Sequence, residues 1–154
     1  MSSYALYTLR DLRIAEERQA EQALGEAAAL VRRAEVETTR LAAHLVEARA
    51  AEAAARAREP AAPATAAQAQ TVRRFSERLR RATRTAIEAL ERHRAEVVTQ
   101  AVRAEAAAGT VHLRARQRRE VVEKAIARRE ALRRREQERR EEAAADDLGQ
   151  KGKS

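Results

Sequence analysis

The sequence predicts an all-α fold, a long two-helix antiparallel coiled-coil hairpin with its C-terminal helix overhanging. Three observations point there. Charged residues make up 36% of the chain, and Ala, Arg, Glu and Leu dominate, which is the composition of long helices. Large apolar residues are scarce, with one Phe, two Tyr, one Met and no Trp. The 44% hydrophobic content is mostly Ala. Burial stabilises by roughly 25 cal/mol per Å², so such side chains fill a narrow seam and not a thick core. Finally, the only two prolines stand three residues apart, at Pro60 and Pro63. High charge with few aromatics also fits disorder, but Ala, Leu, Arg and Glu are the strongest helix formers.

The first element is a helix over 1–59. Its heptad stripe is Leu24, Ala27, Val31, Ala34, Thr38, Leu41, Leu45 and Ala48, alternating three and four as a coiled-coil seam requires. Leu6, Leu9, Leu12 and Ile14 precede it, with a phase shift near Glu16. Residues 60–65 form the turn, because each proline breaks a helix and pushes its predecessor out of the α region. Thr65 and Gln68 then fit a capping box that opens the second helix, 66–147. Its stripe reads Val72, Phe75, Leu79, Ala82, Ala86, Leu90, His93, Val97, Ala101, Ala104, Ala108, Val111 and Ala115, with a stutter between Ala86 and Leu90. Val122, Ala125 and Leu132 continue it, and Arg118 and Arg129 interrupt it. From Gly149 the chain reads as frayed, so 148–154 is expected to be a disordered tail.

A short break makes the helices antiparallel neighbours. A turn centred near Ala62 places Tyr4 opposite Glu120. Everything beyond would overhang by about 20 residues, or about 30 Å. Charge concentrates there. Residues 114–140 hold twelve Lys or Arg against five Glu, while 1–59 holds nine Arg against ten acids. The map implies one strongly basic end and a neutral, apolar hairpin tip. Residues 141–147 reverse the sign with Glu141, Glu142, Asp146 and Asp147.

Several function classes are disfavoured. Cysteine is absent, and His44, His93 and His112 lie far apart, so neither a thiolate nor a closed four-ligand metal site is expected. No glycine-rich phosphate loop and no Ser–His pairing suggest catalysis or a cofactor. No run approaches the roughly 20 apolar residues that span a bilayer, and the N-terminus lacks a signal-peptide apolar region, so a soluble cytoplasmic protein is expected. The basic segment lacks aromatics for stacking and has Glu interspersed, which argues against nucleic acid. Part of it fits solvated i to i+4 pairs such as Glu120–Lys124 and Glu130–Arg134. His93 in the seam reads as a register residue. Phe75, beside the turn, either plugs the seam or anchors a partner.

The pattern resembles a known family, the stalk proteins of type III secretion export apparatus: the YscO/SctO group and its flagellar relative FliJ. Tyr4-Ala5-Leu6-Tyr7-Thr8-Leu9-Arg10-Asp11-Leu12 resembles the family's opening stretch. Phe75, Leu79 and Ala82 match a Phe-x3-Leu-x2-Ala spacing near the flagellar member's hairpin. The run from Arg118 to Lys124, with Asp146-Asp147-Leu148 near the end, resembles the family's basic helix and acidic finish. The likeness covers nearly the whole chain.

The resemblance implies a monomeric, non-catalytic stalk at the cytoplasmic side of the inner-membrane export apparatus. Its open end would enter a hexameric secretion ATPase through Arg10, Arg13, Arg118, Arg119, Arg128, Arg129, Arg133 and Arg134. Its tip would contact the export gate through Phe75, Leu79, Ala82 and Ala86, with Leu41 and Leu45. Secretion chaperones are further implied partners. The competing expectation is a structural coiled-coil scaffold or tether with no ATPase partner.

Overall fold

A computed structural model describes residues 3–59, 61–62 and 64–152. They form α1 (Ser3–Arg58), α2 (Ala66–Arg92), a π-helical segment (His93–Val98) and α3 (Thr99–Lys151). No strand occurs among the described residues, and the chain is an all-α helical hairpin. No helix is long and apolar enough to cross a membrane.

Local chemistry accounts for the boundaries. α1 runs 56 residues because nothing in it forbids a helix; Gly25 alone costs about 1 kcal/mol relative to Ala. The Glu59 N–H closes the last turn on the Arg56 carbonyl at 3.3 Å. Pro60 and Pro63, on which the expected turn rests, lie outside the described residues. Thr65 is extended, at φ −139° and ψ 157°, and its hydroxyl accepts the Gln68 N–H at 3.2 Å, the expected cap. The far end differs from expectation. Helix continues through 148–151, where a disordered tail is predicted. Ala143 to Ala145 lead into it, and a lone Gly149 weakens a helix without ending it as proline does.

The chain divides into two compact units, Gly25–Ala107 and the pair Met1–Leu24 with Ala108–Ser154. In the first of these, Ala27, Ala34 and Leu45 are buried, with Val31, Thr38, Leu41 and Ala48 half-buried, which is the α1 stripe expected from the sequence. Leu45 meets Ala86 and Leu90 in a small cluster that Leu41, Ala42, Ala48 and Ile87 flank. Thr83, also buried, donates to Glu52 at 3.1 Å.

The α2 seam is not the expected one. Ser76 and Thr83 occupy it, and Phe75 and Ala82 stand one residue outside. With those positions the spacing runs four and three from Val72 to His93, so no stutter falls at Ala86–Leu90. The irregularity is a five-residue step from His93 to Val98, and the π segment covers those residues. A π turn absorbs one extra residue and returns the seam to its partner. Thr99 donates back five residues to the Arg94 carbonyl at 3.0 Å, and His93 Nε2 donates to the Ala34 carbonyl at 2.9 Å.

In the other unit, Ala20 on α1 and Ala115, Val122 and Ile126 on α3 are buried. Ile126 takes the place expected for Ala125. Gly109 lies under Leu24, at 3.9 Å from its Cδ1 to an added Cβ. Glu17 pairs with Arg119, and the Tyr7 hydroxyl donates to Glu130 at 2.6 Å. The register therefore differs from expectation. Tyr7 meets α3 roughly three turns further along than a turn centred on Ala62 implies. Smaller offsets in the same direction appear where Glu52 meets Thr83 and where Ala34 meets His93. The break between the arms is thus not symmetric about Ala62: the start of α2 extends past the level at which α1 ends.

Candidate functional site

The corrected register moves the unpartnered arm toward the C-terminus. Every described residue in 132–150 is exposed, Leu132 at 59%. Arg133, Arg134, Arg135, Arg139 and Arg140 stand here against Glu136 and Glu138, followed by Glu141, Glu142, Asp146 and Asp147. A helix that is polar all round needs side-chain pairs or a partner to persist. On this arm the Gln137 amide donates to Glu141 at 3.0 Å.

The arginines expected at an ATPase pore therefore fall into different environments. Arg133 and Arg134 lie on the exposed arm or its root, and Arg118 and Arg128 are exposed on the paired part of α3. Arg10 is tied to Asp11 at 2.9 Å and lies over the Tyr7 ring at 5.2 Å, and Arg13 is tied to Glu16 at 2.7 Å. Arg119 is held by Glu17 and by Glu123, at 2.8 Å from the latter, and both hydrogen bonds raise its pKa, fixing its charge. Arg129 and Arg133 line a small cleft with Leu6, Tyr7 and Ile126. So Arg10 and Arg13 are paired within α1, Arg119 ties α3 to α1 through Glu17, and the exposed cationic run centres on Arg133 to Arg140. Arg135, Arg139 and Arg140 belong to it and were not singled out in the sequence.

Tyr7 marks the last strong contact before the arm. Its hydrogen bond to Glu130 raises its pKa, burial and the Glu130 charge add to that, and Arg10 and Arg133 oppose it.

The tip residues also divide. Ala86 is 3% exposed and Leu45 9%, and both lie in the seam with Leu41. A knob buried between two helices cannot face a third molecule, so these three hold the tip together. Leu79 is half-buried. Phe75 is 48% exposed, its ring under Arg78 at 5.9 Å, and Ala82 is exposed. Phe75 borders an open groove with Ala51, Ala54, Ala55 and Val72. The tip is apolar there, but it is not neutral. Between 73 and 84 six Arg face one Glu, a local excess that counting charge over whole arms conceals.

Among the described residues no group of three His, Asp or Glu side chains gathers as metal ligands would. Comparison with protein-family models, with curated proteins and with solved structures finds no match.

Proposed function

We propose that the chain is a non-catalytic stalk of a type III protein secretion apparatus, linking and stimulating a hexameric ATPase at one end and contacting the export gate at the other. The observation that carries this reading is the exposed cationic arm. Five arginines stand against two glutamates over 132–140, all of them exposed, with Arg133 at the root bordering Tyr7. Like charges one turn apart, such as Arg135 and Arg139, repel, and an acidic collar around the arm relieves that repulsion. Complementarity of this kind speeds association and sets orientation more than it adds affinity.

At the other end, Phe75, Ala82 and their arginine neighbours form the surface offered to the gate. Leu41, Leu45 and Ala86 act beneath it as its support.

Reversing Arg133, Arg134, Arg139 and Arg140 to Glu tests the orientation. The variant should lose ATPase stimulation and keep gate binding at the tip. Wild-type stimulation should itself weaken as salt shortens the Debye length below about 8 Å. A reversed variant that stimulates the ATPase as well as the parent would show that the arm is not the docking element.

A further inference from the structure

In the Gly25–Ala107 unit, the residues just outside the α2 seam form a second apolar stripe. Phe75, Ala82 and Ala89 recur every seven residues, and Val97 and Ala104 continue the series after the π segment. These are the positions that in a two-stranded coil carry Glu or Lys. Phe75 and Val97 are nearly half exposed. The matching positions on α1 are Leu30, Glu37, His44 and Ala51, apolar at the two outer places, Leu30 also being exposed. The two stripes border the same flank. Leu30 and Val97 line one open groove with Ala34, Ala101 and Ala104, and Ala51 and Phe75 line another. A two-helix coil with apolar residues in place of flanking charges has the surface of a three-helix coil with one helix missing.

The rim says what chemistry the missing helix carries. Arg33 lines the groove at Val97, Arg58 lines the groove at Phe75, and Arg78 covers the Phe75 ring. The acids there are Glu37 and Glu59. Glu37 is held by Arg40 through bonds of 2.9 and 2.6 Å that lower its pKa, so its charge is already answered within α1.

We propose that this flank binds an amphipathic helix of another protein, with apolar residues at heptad spacing and Asp or Glu beside them, as the third strand of a coiled coil. The π segment aids it: in an unbroken α-helix the eight-residue step from Ala89 to Val97 would carry Val97 and Ala104 out of line with Phe75 and Ala82. The proposal shares Phe75, Ala82 and Arg78 with the surface offered to the gate, but Val97 and Ala104 lie away from that tip, so variants there test it separately from the stalk reading.

The test uses the full chain and two labelled synthetic helices about four heptads long. Both carry Leu and Ile on one stripe; one is flanked by Glu and the other by Lys. Fluorescence anisotropy should show saturable binding of the Glu-flanked helix and none of the Lys-flanked one. The double variant Val97→Glu, Ala104→Glu should weaken binding at least about tenfold with unchanged helicity. Arg33→Glu with Arg78→Glu, which touches only the rim, should weaken the Glu-flanked helix and admit the Lys-flanked one. Failure of the Glu-flanked helix to bind, or equal binding to parent and both variants, overturns the proposal. So does a dimer of the chain, seen by light scattering, that Val97→Glu and Ala104→Glu dissolve, because the occupant is then a second copy.

Discussion

Deleting a single residue from the π segment should leave the hairpin folded, which is not true of single-residue deletions elsewhere in the paired helices. Removing Ala95, an exposed residue of the segment, turns the five-residue step from His93 to Val98 into a step of four. The seam then alternates four and three without interruption, and an ordinary α-helix suffices. Stability should stay within about 1 kcal/mol of the parent, as for changes that remove no buried contact. Deleting Ala107, an exposed residue with no irregularity to heal, rotates everything after it by about 100°. Ala115, Val122 and Ile126, each now 9% exposed or less, leave the seam. Losing burial of a Val and an Ile at about 1.5–3 kcal/mol each removes roughly 3–6 kcal/mol. Urea melts followed by circular dichroism separate the two cases. Equal destabilisation by both deletions would refute the idea that the π segment absorbs the extra residue.

Other outcomes follow from single contacts. An added Cβ meets nothing at Gly25 and only ordinary contact with Leu24 at Gly109, so Gly25→Ala and Gly109→Ala should each stabilise by about 1 kcal/mol in the same melts. Leu90→Ala should destabilise by about 2–3 kcal/mol, the low end for buried leucines, because a two-helix seam can close over the gap. Tyr7 has a raised pKa because its hydroxyl donates to Glu130. A raised pKa means that its contribution to pairing is present below the unfolded tyrosine range near 10 and is lost as pH rises through the folded value. Glu130→Ala should lower the Tyr7 titration midpoint, read from its ring carbon shifts by NMR; an unchanged midpoint would show that the bond does not form.

The α1 stripe was legible because one position per turn stood out: Leu24, Ala27, Val31, Ala34 and onward have no apolar rival that keeps the spacing over the whole helix. The second arm was ambiguous by one residue throughout. Phe75 against Ser76, Ala82 against Thr83, Val97 against Val98, Ala104 against Glu105 and Val111 against His112 are adjacent pairs. Hydrophobicity favours the first of most of them, whereas pairing with α1 selects the second. The apolar residues that mislead about the seam are the ones that form the exposed flank. The Thr65 cap was readable because it depends on local chemistry. The register was not, because the path of the chain between Arg58 and Thr65 sets it, and no periodicity encodes that path. The error there set Arg119 at the open end of the hairpin as a pore contact, when it is bound between Glu17 and Glu123. The basic tip was in plain view at 73–84, hidden only by averaging charge over a whole helix.

The most direct test of the stalk reading compares the full chain with one ending at Ala131 as stimulators of the hexameric secretion ATPase. The cut removes the exposed cationic arm and leaves the Tyr7–Glu130 contact and the buried seam in place. The full chain should raise the hydrolysis rate, and the shortened chain, still helical by circular dichroism, should not. Equal stimulation by both chains, or none by the full chain, would contradict it.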